Sequence, residues 1–178
     1  MHLFKILSIL LLLNCTTMVN AQEIPWRKDK PLTWKDFQGV PDANSSYAAV
    51  TNSRIKYNYR YELKDSVYKI TFKLENVFYT QTSWSKKDQR NKDLLHHEQL
   101  HFDINELFTR RLSVALNSST YTNNFREEIH FIYQRLMDEE RDFQTKYDNQ
   151  SIHSGDSGSQ VVWEQYIHKL LMELPPNY

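Results

Sequence analysis

Apolar residues occupy every second position through Ile55, Tyr57, Tyr59, Tyr61 and Leu63, with Lys56, Asn58, Arg60 and Glu62 between them. A period of two gives a strand one buried and one wet face. Tyr68, Ile70, Phe72 and Leu74 repeat the pattern against Lys69, Thr71 and Lys73, and Lys64-Asp65-Ser66 turns the chain, so the two runs predict an antiparallel hairpin. Ala48 to Asn52 extends the first strand or forms its own, and Val77 to Tyr79 adds a short third, for a sheet of two to four strands. Beyond Trp84 the period changes. Leu94, Ile104, Leu107, Phe108, Leu112 and Ala115 recur at helical spacing without an intervening Pro or Gly, which predicts a long helix from Ser85–Asp88 or Asn91 to about Leu116.

Asn117 to Thr120 breaks that helix. Phe125, Ile129, Ile132, Tyr133, Leu136, Phe143 and Tyr147 form the stripe of a second helix, opening near Asn124 with Glu127 as its capping-box partner and packing antiparallel on the first. Asp148 to Ser159, with Gly155 and Gly158, reads as a loop, and a short C-terminal helix from Val161 to Leu174 stops at Pro175-Pro176. Before the sheet, Glu23 to Ser46 is a turn-rich arm anchored by Trp26, Trp34 and Phe37, with Thr33 capping a short turn. The pattern is α+β: a small antiparallel sheet packed on a long helix and its antiparallel neighbour.

The first 21 residues change the picture of where the chain works. Lys5, the apolar run Ile6 to Leu13, and Val19 and Ala21 make a secretory signal cleaved after Ala21, so the chain is expected to be secreted or periplasmic. A lipoprotein acylated at Cys15 is the alternative, which Asn14 disfavours. Residues 22–178 then form a single domain, with an arm over 22–46, the sheet over 47–80 and helices over 85–174. The single cysteine, Cys15, leaves with the signal, so a metal site must use His, Asp or Glu. With 22 basic and 22 acidic residues the chain is near neutral, and no basic block points to nucleic acid or an anionic membrane. No transmembrane span is expected in the mature chain, and a monomer is.

The candidate chemistry lies in the first long helix. His97 and His101 stand four residues apart, about 40° round the axis and about 6 Å along it, so two imidazoles can reach one ion. Glu98 is about 100° round from His97, off the ligand stripe but able to reach a water at the ion. This is the HExxH pattern of zinc metallopeptidases, with the glutamate as general base. Catalytic zinc usually takes three protein ligands. Leu107 stands where a third histidine of the metzincin spacing would fall, leaving Glu127, Glu128, Glu139, Glu140, His130 and His153 as candidates. Asp103 and His96 lie off the ligand stripe and read as structural or supporting groups.

Leu32-Thr33-Trp34-Lys35-Asp36-Phe37-Gln38-Gly39, Ser83-Trp84, His97 to Ile104 and Tyr147 to His153 resemble the DUF922 family, secreted bacterial proteins regarded as zinc-dependent proteases. The family's late block, approximately Tyr-Asp-x-x-Thr-x-His-Gly, carries over onto Tyr147, Asp148 and His153, with Ser151 in place of the threonine and Ser154 before Gly155. The resemblance implies a zincin-like fold and a peptidase acting on peptide or protein. His97, His101 and His153 would hold Zn2+, Glu98 would be the base, and Tyr147 a donor to the oxyanion. The alternative is a non-catalytic zinc-binding or interaction module of the cell envelope.

Overall fold

A computed structural model describes residues 23–65, 67–151, 157–174 and 176. The proposed signal, its cleavage site, Cys15 and His153 lie outside them. Five strands and three long helices follow in order: β1 Glu23–Pro25, β2 Ala49–Val50, β3 Ser53–Lys64, β4 Val67–Tyr79, β5 Trp84–Ser85, α1 Lys92–Ser118, α2 Phe125–Ser151 and α3 Ser157–Glu173. No helix among the described residues is long and apolar enough to cross a membrane.

The expected hairpin forms in the register the alternation requires, with Tyr57 opposite Leu74 and Tyr61 opposite Ile70. Val77 to Tyr79 is the end of β4 itself, and β1 pairs with it there. The sheet order is therefore β1-β4-β3. Ala49 and Val50 instead leave the hairpin and pair antiparallel with β5, forming a second, two-stranded sheet. Gly39 holds that second sheet in place. Its N–H donates to Ser83 O at 2.8 Å, and a Cβ at this position would meet Ser83 O at 2.8 Å and Gln81 O at 2.9 Å.

α1 is central. Asn91 caps it, its side chain accepting from Leu94 N at 2.8 Å, so the second of the two expected starts is the one used. Leu100, Ile104, Leu107, Phe108 and Leu112 enter a core shared with Ile55, Phe72 and Leu74 of the sheet and with Ile129 and Ile167 of the other helices. Phe102 faces a smaller cluster with Leu32, Phe37 and Phe78, through which the N-terminal arm closes over the helix. Asn105 Nδ2 donates to Asn76 Oδ1 at 2.8 Å, and Asn76 Nδ2 donates to Phe102 O at 3.1 Å. Sheet and helix are thus registered by buried amides as well as by packing.

Two local expectations are corrected. At the start of α2 it is Glu128, not Glu127, that reaches back, accepting from Thr122 N at 3.0 Å. At the other end α2 does not stop before Asp148 but continues to Ser151. Asp and Asn are poor helix formers, yet intrinsic propensity is a weak prior. Tyr147 is buried and Ser151 Oγ donates to Tyr147 O at 2.8 Å, so tertiary packing carries the helix through Asp148-Asn149-Gln150.

Gly39→Ala is expected to destabilise the fold by about 1–3 kcal/mol in chemical denaturation, because the Cβ strikes two backbone carbonyls that cannot swing aside. An unchanged midpoint would contradict this account of the second sheet.

Candidate metal centre

Antiparallel packing sets the beginning of α1 against the end of α2. Gln144 meets His101, Asp148 meets both histidines, and Ser151 meets His97. His97 Nε2 and His101 Nε2 are 3.0 Å apart. Asp148 Oδ1 lies 3.0 Å from His101 Nε2 and 3.4 Å from His97 Nε2. Donors bound to tetrahedral zinc at about 2.0–2.1 Å stand about 3.3 Å from one another, so this triangle already has close to the dimensions of one coordination face. It is the group of metal-capable side chains found among the described residues.

The protons support the same reading. Gln144 Nε2 donates to Glu140 Oε1 at 2.8 Å and to His101 O at 3.1 Å, two groups that only accept. Gln144 Oε1 must then face His101 Nδ1, 2.6 Å away, and Nδ1 must carry the proton. Ser151 Oγ gives its proton to Tyr147 O, so toward His97 Nδ1, at a long 3.4 Å, it accepts. Both Nε2 atoms are therefore the unprotonated ring nitrogens, and each has Asp148 Oδ1 beside it. Asp148 Oδ1 is itself buried, close to both ring nitrogens but without a hydrogen-bond partner. Three acceptors meeting at one point require a positive charge between them, either a proton or a metal ion.

The charges respond as expected. Burial opposes protonation of His101, but Asp148 and then Glu98 outweigh it and raise the pKa above that of an ordinary histidine. Burial pushes Asp148 upward, while its contacts with His101 and His97 more than offset this and hold the carboxyl well below the usual range.

A family model described as "Bacterial protein of unknown function (DUF922)" matches residues 35–155. The chain belongs to the DUF922 family. No curated protein and no solved structure matches it. In this DUF922 chain the residues expected at the site are divided as follows. His97, Glu98 and His101 line one open pocket of about 220 Å³ together with Asp148 and with Tyr47, Ala49, Val50 and Thr51 from around β2. Glu98 Oε2 accepts from Thr51 Oγ1 at 2.7 Å.

Tyr147 is fully buried beneath the rings. It stacks on His97 with centroids 4.8 Å apart, meets His101 edge-on at 5.0 Å, and donates its hydroxyl to His97 O at 3.3 Å. It does not line the pocket. Among the other candidates for third ligand, Glu127 and Glu128 line a separate pocket near Tyr121, Glu139 pairs with Arg135, His130 is exposed, and Glu140 bonds Gln144. His96 turns to Glu164 of α3 at 3.1 Å, and Asp103 accepts from Trp26 Nε1 at 2.7 Å and Gln99 Nε2 at 2.8 Å. Both belong to the wall of a larger cavity, about 800 Å³, formed by the N-terminal arm, α1 and α3 and sharing no residue with the metal pocket.

In the sequence Asp148 reads as the start of a loop, and neither Thr51 nor Gln144 stands out. Extending the α2 stripe by one turn, from Gln144 to Asp148 at i+4, would have set both on the face toward α1.

Gln144→Leu should leave the fold intact and weaken zinc binding about 10- to 100-fold in a chelator competition, since His101 loses the acceptor that fixes its tautomer. In metal-free protein a second test follows from the charges. A raised His101 pKa contributes stability fully below the ordinary value of 6.5 and loses it as pH rises through the raised value, while the depressed Asp148 contributes above 3.8. The melting-temperature advantage of wild type over Asp148→Asn should therefore be largest between those values and shrink as pH rises through the raised His101 value. A gap that widened with pH would contradict the pairing.

Proposed function

We propose that this chain is a zincin-like, zinc-dependent peptidase that works outside the cytoplasm, with His97, His101 and Asp148 as the ligands described and Glu98 as general base. The observation that carries the reading is that the three donors and Glu98 open onto one pocket whose wall is an edge strand. Lys86 N donates to Ala48 O at 2.8 Å, so in the β2–β5 register Ala49 opposite Ser85 is a non-hydrogen-bonded position and turns its N–H and C=O away from β5. An extended peptide laid along that edge adds a strand through main-chain hydrogen bonds, with its scissile carbonyl over the histidines.

Bound zinc would supply Lewis acidity, polarising a carbonyl and bringing the pKa of water down toward about 7. The chain's own residues do the rest. Thr51 pins Glu98 Oε2, leaving Oε1 to take the proton of the attacking water and return it to the departing amine. Gln144 and Ser151 keep Nδ1 of each imidazole protonated and Nε2 open. The buried ring of Tyr147 serves as a platform that fixes both imidazoles, a role its placement supports over donation to an oxyanion. His153, expected from the resemblance, stays a candidate for a further ligand.

Glu98→Gln should retain stoichiometric zinc while reducing cleavage of an unstructured protein, read as new termini by mass spectrometry, by about 10²- to 10⁴-fold. Zinc-loaded wild type that yields no new termini would favour the non-catalytic binding module. Equal cleavage by the variant would remove Glu98 from the mechanism.

A further inference from the structure

The near balance of charge along the chain conceals a one-sided surface. In the β3–β4 register the face turned away from the helices carries Arg54, Lys56, Arg60, Lys64, Lys69 and Lys73 against Glu62 and Glu75. All eight are exposed. Lys56 is paired with Glu23 at 2.6 Å, but no ion pair engages Arg60, Lys64, Lys69 or Lys73 among the described residues. Twelve or so residues of strand make a ribbon about 40 Å long, with neighbouring side chains on one face about 6.7 Å apart. The period of two that sorts apolar residues inward sorts these cations outward.

The tip of the same hairpin is unlike the rest. Packing by the helices ends at Tyr61 and Tyr68, whose rings meet Phe125 at 4.7 and 5.0 Å. Past them, Leu63 is 61% and Val67 50% exposed, with Lys64 between them in sequence and opposite Val67 in register. Val67 shares the basic face, while Leu63, opposite Tyr68, turns to the other side of the same turn, so the tip exposes apolar surface on both its faces.

We propose that the outer face and tip of the β3–β4 hairpin form a docking surface for an anionic phospholipid bilayer, the cations meeting headgroup phosphates while Leu63 and Val67 enter the headgroup boundary. A soluble polyanion would satisfy the cations but bury neither apolar residue, so the tip selects the bilayer. Each cation near an anionic leaflet adds a screened attraction, and the apolar contacts add a part that salt does not weaken. This surface is independent of the metal pocket and does not require hydrolysis.

The test is co-sedimentation of the mature chain with vesicles of phosphatidylcholine alone or mixed with phosphatidylglycerol, at low and raised salt. Wild type should bind the mixed vesicles, bind phosphatidylcholine weakly, and lose affinity as salt rises. Arg60→Glu/Lys69→Glu/Lys73→Glu should weaken binding at least about tenfold with an unchanged melting temperature. Leu63→Ser/Val67→Ser should weaken vesicle binding severalfold while leaving retention on a heparin column unaltered. Absence of vesicle binding, equal binding to both vesicle types, or insensitivity to the charge reversal would overturn the proposal. Vesicle binding unchanged by the tip substitutions would also overturn it, and would assign the face to a soluble polyanion.

Discussion

A carboxylate oxygen without a hydrogen-bond donor, buried between two imidazole nitrogens that are themselves acceptors, is the constraint on which the site depends. Such an arrangement is unfavourable unless a positive charge occupies its centre. Everything around it is disposed to keep the three atoms converging. Tyr147 fills the space behind both rings, Gln144 ties His101 to α2, and Glu140 orients Gln144. Burial raises the pKa of Glu140, a cost the fold carries in order to hold the amide in one orientation. The site therefore belongs to the packing of α1 against α2 rather than to the HExxH segment alone.

The same packing explains how a short polar strand becomes part of the pocket. β2 could have continued into β3, but the chain breaks at Thr51 and Asn52, where Thr51 bonds Glu98 and Asn52 N donates to Ser83 Oγ at 2.9 Å. β5 supplies its partner, and Gly39 allows the backbone around Ser83 to approach closely enough for that pairing. A residue of the N-terminal arm thus bears on the pocket through two intervening layers of backbone, without touching any functional side chain.

Local periodicity made the hairpin and the central helix legible in the sequence, because an alternation of Tyr and Lys or a stripe of Leu and Phe encodes which face is buried. The pair His97 and His101 was legible for the same reason, being set by helical spacing. The third corner was not. Asp148-Asn149-Gln150 has the composition of a loop, and only the buried anchor at Tyr147 reveals that the helix persists. The β2–β5 pairing joins segments more than thirty residues apart in the chain, with two residues in each strand, too short for any period to register. The basic face escaped for the opposite reason, since whole-chain charge averages over a pattern that matters one face at a time.

The central claim is that one cation sits between His97, His101 and Asp148. Crystals grown with zinc and measured at its absorption edge test it directly. The account predicts a single strong anomalous peak about 2.0–2.2 Å from His97 Nε2, His101 Nε2 and Asp148 Oδ1. An anomalous map without a peak there, or with zinc held elsewhere and the two imidazoles turned apart, would contradict it.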